Sequence, residues 1–160
     1  MTSIKRILLV EDDPKDVELT LTALEEYQLA NAVDVVRDGA QALDYLYRRG
    51  KFQTRDARNP VVVILDLKLP RVSGLEVLRQ VKADEQLRLV PIVVLTSSRE
   101  EPDLIASYQL GVNAYVVKPV DFHKFVEAVK TLGVFWAILN EVPLADPKSE
   151  PEARGTGAQE

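Results

Sequence analysis

The residues with chemistry in them sit at the C-terminal ends of short apolar runs. Ile7 to Val10 ends in Glu11-Asp12-Asp13, Val61 to Leu65 ends in Asp66, Ile92 to Leu95 ends in Thr96, and Tyr115 to Val117 ends in Lys118-Pro119. Carboxylates, one hydroxyl and one ammonium in a common place suit a divalent cation and a phosphoryl group. Clustered carboxylates repel and raise one another's pKa unless a cation holds them, and an oxygen donor set that retains waters suits magnesium. Asp66 is then placed as a nucleophile toward phosphorus. Lys118 offers a compact point charge and Thr96 a hydroxyl donor for the phosphoryl oxygens. Phosphoryl transfer depends on neutralising those oxygens more than on covalent help. Taken alone, Asp66 reads as a capping or loop acid; its neighbours reverse that. Asp13 differs from Glu11 and Asp12, because Pro14 after it makes it a helix cap first and a metal ligand only second.

The elements that must position these groups follow from the apolar pattern. Runs rich in Val and Ile, too short for helices, read as buried parallel strands near 5–10, 33–36, 61–65, 92–95 and 114–117. They alternate with segments of helical period, the pattern of a doubly wound α/β sheet, whose ligand crevice lies outside the carboxyl ends of its strands. The first helix is expected from Asp13-Pro14, with Val17, Leu21, Leu24 and Tyr27 as its apolar stripe. The second follows Asp38-Gly39 with Ala42, Leu43 and Leu46 inward, and the third spans Ser73 to Ala83 with Leu75, Val77, Leu78 and Val81. The fourth spans Pro102 to Leu110 and stops at Gly111; the fifth starts at Asp121 and continues to about Asn140. Residues 48–59 (RRGKFQTRDARN) are basic and pattern-free, an extended surface loop. Residues 141–160, rich in Pro, Gly and acid, are expected to be a disordered tail behind one domain over 1–140.

Composition narrows the function classes. A chain of 160 residues has room for one full core. Its net charge of −5 and the lack of a long uncharged run point away from nucleic acid and membrane. The N-terminal residues lack the apolar stretch of a signal peptide, and the chain has no cysteine, so a cytoplasmic location and no thiolate chemistry are expected.

The set Glu11-Asp12, Asp66, Thr96 and Lys118-Pro119, with Asp66-Leu67-Lys68-Leu69-Pro70 and Gly74, resembles the receiver domain of two-component response regulators over about residues 4–131. The resemblance implies a (βα)5 flavodoxin-like fold with strand order 2-1-3-4-5. It implies that Asp66 accepts a phosphoryl group from a sensor histidine kinase, and that Asp12, Asp66 and the backbone carbonyl of Lys68 ligate Mg2+ with Glu11 close by through water. The resemblance further implies that Thr96 and Lys118 bind the phosphoryl oxygens and that Tyr115 is the switch that turns inward when Thr96 moves, although a tyrosine simply packed on the fourth helix fits the pattern too. Ser73 stands where the family often has aspartate, and both cap a helix. Lys68 is a long cation two residues past the phosphoacceptor, placed to lie over the acyl phosphate and slow its hydrolysis. A Mg-dependent aspartyl-phosphate hydrolase is a rival, but such enzymes carry an aspartate at the position of Lys68. A phosphorylation-independent docking module is the other, and it would be expected to lack Asp12, Asp66 or Lys118; all three are present.

Beyond residue 131 the fifth helix continues as LGVFWAILNEVP, leaving almost no polar face. One apolar side suffices for a surface helix, so the surplus must be covered, either by the tail or by a second subunit. The pair Phe135-Trp136, with Leu139, favours a homodimer. This ending, the loop after the second helix and the DLKLP segment resemble stand-alone regulators paired with bacterial phytochromes, which implies a phytochrome-type kinase as partner and output through the face of helix four, strand five and helix five. His123 is expected to be a solvent-facing helix residue.

Overall fold

The computed structural model describes residues 6–118 and 121–133. Five parallel strands, β1 (Ile7–Val10), β2 (Val33–Val36), β3 (Val62–Leu65), β4 (Ile92–Thr96) and β5 (Ala114–Val117), form one sheet in the order β2-β1-β3-β4-β5. Side chains alternate across a strand, and each central strand therefore feeds two cores. Leu8, Val10, Val63, Leu65, Ile92 and Val94 enter one, which also takes Leu43, Leu46, Val77 and Leu78; Ile7, Leu9, Val62, Ile64, Val93 and Leu95 enter the other, with Val17, Leu24, Phe125 and Val129. Helices α2 (Gly39–Tyr47) and α3 (Gly74–Ala83) thus cover one face, and α1 (Pro14–Glu25) and α5 (Phe122–Gly133) cover the other. Burial on both faces is why β1, β3 and β4 read as continuous apolar runs.

The expected elements recur with small shifts. Asp13 caps α1 by accepting from the Lys15 amide at 2.9 Å, and Ser73 caps α3 by accepting from the Glu76 amide at 3.2 Å. The α1 stripe is corrected: the helix ends at Glu25, so Tyr27 falls beyond it and is 44% exposed, and Thr20 and Ala23 are buried instead. The fourth helix, α4, runs Glu101–Gln109, with Gly111 at φ +94° after it. It is loosely seated, since Ser107 is its buried residue and Leu104, Ile105 and Tyr108 are 38%, 49% and 54% exposed. His123 is exposed, as expected.

Residues 48–59 are not pattern-free. Gly50–Phe52 form a 3-10 turn, and Phe52 packs edge-on to Tyr45 with ring centroids 5.2 Å apart. The Arg55 guanidinium lies 4.2 Å over the Tyr45 ring and donates to the carbonyls of Tyr45, Asp56 and Arg58. Phe52 and Arg55, both meeting Tyr45, carry this order, and no periodicity signals it. The extension of α5 toward residue 140, the dimer residues Phe135, Trp136 and Leu139, and the tail at 141–160 all lie outside the described residues.

Candidate functional site

Register brings the strand ends together. Val10 pairs with Leu65 across β1 and β3, which sets Glu11 beside Asp66; Thr96 pairs with Val117 across β4 and β5, which sets Lys118 one residue beyond. Backbone hydrogen bonds carry the alignment past the strands, from the Asp66 amide to the Val10 carbonyl at 3.1 Å and from the Lys118 amide to the Thr96 carbonyl at 2.7 Å. Gly74 permits the turn after Asp66 to close tightly, since a Cβ there would lie 2.2 Å from the Asp66 carbonyl oxygen. The start of α2 is similarly confined, with a Cβ on Gly39 falling 1.9 Å from the Val72 carbonyl oxygen.

At the centre, the Lys118 ammonium donates to Glu11 Oε1 at 2.6 Å, Asp16 Oδ2 at 2.8 Å and Asp66 Oδ2 at 2.9 Å. Lys118, Glu11 and Asp66 are all buried, at 9%, 3% and 6% exposure. The Thr96 hydroxyl donates to Asp66 Oδ1 at 2.7 Å, and the Lys68 amide reaches the same oxygen at 3.2 Å. Burial pushes the Glu11 carboxyl up to about 7, opposed by Lys118 and reinforced by the like charge of Asp66. Burial alone would lower the Lys118 pKa, but the carboxylates of Asp16, Glu11 and Asp66 outweigh it and raise it.

Glu11, Asp12 and Asp66 each present a carboxylate oxygen within 4.8 Å of the others, a group that fits a divalent cation. The donor set is all oxygen, Asp12 is exposed where the first and third strands end, and three carboxylates stand around a single ammonium with Asp12 beside them. A hard cation suits such an excess of negative charge. The Lys68 side chain extends to Glu100, with Nζ 3.8 Å from its carboxylate. Tyr115 is half-buried, and its hydroxyl donates to the Ser98 carbonyl at 3.2 Å.

The structure therefore assembles Glu11, Asp12, Asp66, Thr96 and Lys118 in one place and ties the Tyr115 hydroxyl, from β5, to the adjoining β4–α4 loop; Pro119 lies outside the described residues. Two contributors escaped the sequence. Asp16 lies in the first turn of α1, where an acid is ordinary, yet its carboxylate reaches Lys118; the signal is that helix side chains tilt toward the N-terminus, here the end that faces the site. Ser98 joins the loop to α4, its amide donating to Thr96 Oγ1 at 3.3 Å and its hydroxyl to Asp103 Oδ2 at 2.6 Å.

Comparison with known proteins agrees with this geometry. The response regulator receiver domain family matches residues 7–130. Response regulator Rcp1 of Synechocystis sp. is 36% identical over 141 residues, covering 88% of this chain and 95% of its own; the Mn(2+)-bound form of a regulator of that name superposes with a TM-score of 0.81 at 35% identity, covering 87% of this chain and 99% of its own. The bacteriophytochrome response regulator RtBRR is 64% identical, with a TM-score of 0.71, covering 88% of this chain and 85% of its own. The phosphorylated cyanobacterial phytochrome response regulator RcpA is 36% identical, with a TM-score of 0.82, covering 88% of this chain and 99% of its own. In fold, in the acids at its strand ends and in sequence, the chain belongs to the response regulator receiver domain family.

Proposed function

We propose that this chain is a phosphorylation-switched signalling protein of the cytoplasm that takes a phosphoryl group on Asp66 from a phytochrome-type histidine kinase. The arrangement around Asp66 is the observation that carries this reading: a buried carboxylate with a hydroxyl on one oxygen and an ammonium on the other. An Asp66 oxygen bonds to phosphorus as the P–N bond of the kinase phosphohistidine breaks, and the imidazole leaves with the electron pair. Thr96 and Lys118 then redirect their donors to the phosphoryl oxygens, where the charge gathers. Glu11, Asp12, Asp66 and the Lys68 carbonyl would hold Mg2+, which supplies charge neutralisation at the phosphoryl group. The phytochrome partner is supported by the relatives that carry that name.

Phosphorylation adds roughly −1.5 to −2 charge at neutral pH. When Thr96 turns toward it, the Ser98 amide loses its partner and the loop whose Ser98 carbonyl accepts from the Tyr115 hydroxyl shifts, so that Tyr115 moves inward. The loosely seated α4, with β5 and α5, is the face that changes, by a population shift between two packings. The protein turns over no substrate beyond its own phosphorylation and dephosphorylation. A homodimer built on Phe135, Trp136 and Leu139 is the form in which we expect the switch to be read.

The test is incubation with Mg2+ and acetyl phosphate, followed by intact mass measurement. One phosphoryl group gained by the wild type and lost in Asp66→Asn is the expected result; equal labelling of that variant would refute the assignment.

A further inference from the structure

Lys118 is held more fully than its role as a phosphoryl ligand requires. An ammonium has three donors, and all three are engaged here, by Glu11, Asp16 and Asp66. Two of those acceptors change during phosphorylation. Asp66 becomes an acyl phosphate, a much weaker acceptor, and Glu11 belongs to the acid group that faces the cation. Asp16 stands outside that group and takes no part in bond making. It comes from the first turn of α1, the helix that packs with α5 on the same face of the sheet, and α5 follows directly on the Lys118 segment. A lysine stem is flexible, and with the Asp66 contact gone only a fixed acceptor keeps its ammonium at the site.

We propose that Asp16 is the positioning residue of Lys118, holding the ammonium at the mouth of the strands throughout the cycle so that the donor released by Asp66 points at a phosphoryl oxygen. This rests on Asp66 as phosphoacceptor. With acetyl phosphate as donor, an Asp66 oxygen bonds to phosphorus, the P–O bond to the acetyl group breaks, and acetate leaves with the electron pair.

The test is the initial rate of phosphorylation of the full chain by acetyl phosphate at saturating Mg2+, measured by intact mass for wild type, Asp16→Ala and Asp16→Asn. The two variants carry the same charge, but only asparagine keeps an oxygen within reach of Lys118. Asp16→Ala is expected to be about tenfold slower, the scale on which a supporting hydrogen-bond partner acts, and Asp16→Asn to stay near the wild-type rate, with thermal unfolding close to wild type in both. An unslowed Asp16→Ala overturns the proposal. Equal slowing of both variants also overturns it, because the charge and not the contact would then be at work. A wild type that takes no phosphate brings down the assignment of Asp66, and the role of Asp16 with it.

Discussion

Two clusters of charge are built on opposite plans. At the carboxyl ends of the strands, Glu11, Asp16 and Asp66 stand around the single ammonium of Lys118, with Asp12 beside Glu11 and Asp66. At the edge formed by β1 and β2, the proportions are reversed. Arg6 donates to Asp34 at 2.7 and 3.2 Å, the Tyr45 hydroxyl donates to Asp34 at 2.5 Å, and Arg55 stacks on the Tyr45 ring. Burial works against the Asp34 carboxylate, but Arg6 and Tyr45 hold its pKa below the usual range; burial and the Asp34 carboxylate together raise that of Tyr45. At the edge, the single carboxylate of Asp34 is matched by donors from Arg6 and Tyr45. The strand-end cluster keeps an excess of negative charge and donors that can be handed on, and that imbalance separates a site from a strut.

The contrast breaks most sharply at Lys118. Lys118→Ala should slow phosphorylation by roughly 10² to 10³, as expected for losing a donor aimed at developing charge. It should also destabilise the metal-free protein by about 3–5 kcal/mol, because buried carboxylates lose their partner. Mg2+ should recover part of that loss in a thermal unfolding assay. If Mg2+ recovers nothing, the two clusters are alike after all.

The next effect is on pH. Glu11 must be ionised to face a cation, and burial raises its carboxyl from 4.5 to about 7. Mg2+ affinity measured by calorimetry should therefore rise on the order of tenfold between pH 6 and 8, flattening above. The sign for stability is opposite. The folded state binds the extra proton, so the contribution of Glu11 to the metal-free protein is fully present below its unfolded pKa and is lost as pH rises through about 7. Asp34 runs the other way: its lowered pKa stabilises the fold above its unfolded value and that support is lost as pH falls.

Smaller is the effect of Lys68→Ala, which should quicken autodephosphorylation a few-fold, since the long cation two residues past Asp66, paired with Glu100, is removed. Stability should move by no more than about 0.5 kcal/mol, the usual scale for an exposed position. An unchanged rate of phosphate release would show that Lys68 does not obstruct water. Asp34→Ala should have no effect on phosphorylation, while lowering stability by about 1–2 kcal/mol through the loss of charged hydrogen bonds. Slower labelling in this variant would mean that the edge communicates with the site.

The strand ends were legible because burial on both faces writes β1, β3 and β4 as unbroken Val, Ile and Leu, and a polar residue that ends such a run has one place to go. Glu11, Asp66, Thr96 and Lys118 followed from that alone. Asp16 did not, because an acid in a first helical turn is already explained by the helix dipole, and only the three-dimensional approach of Lys118 distinguishes it. Residues 48–59 were opaque for a different reason. Their order comes from Tyr45 meeting Phe52 and Arg55, contacts between single side chains that leave no period to read. Helix α4 lay between these cases: its span was readable from Pro102 and Gly111, but its slight burial was not, since an apolar count does not say which residues find a partner.

Gly39 and Gly74 have a consequence for any saturation mutagenesis of this chain. Each lacks room for a single added carbon, against the Val72 and Asp66 carbonyls respectively. Scored by loss of signalling, both positions would rank with Asp66 as intolerant, although neither offers a group to the reaction. Sorting the variants by folding yield would part them: Asp66→Asn is expected to stay folded and silent, while Gly39→Ala and Gly74→Ala are expected to fail by displacing the loop between β3 and α3. Intolerance at the glycines measures the width of the space left for the backbone, and intolerance at the aspartate measures chemistry.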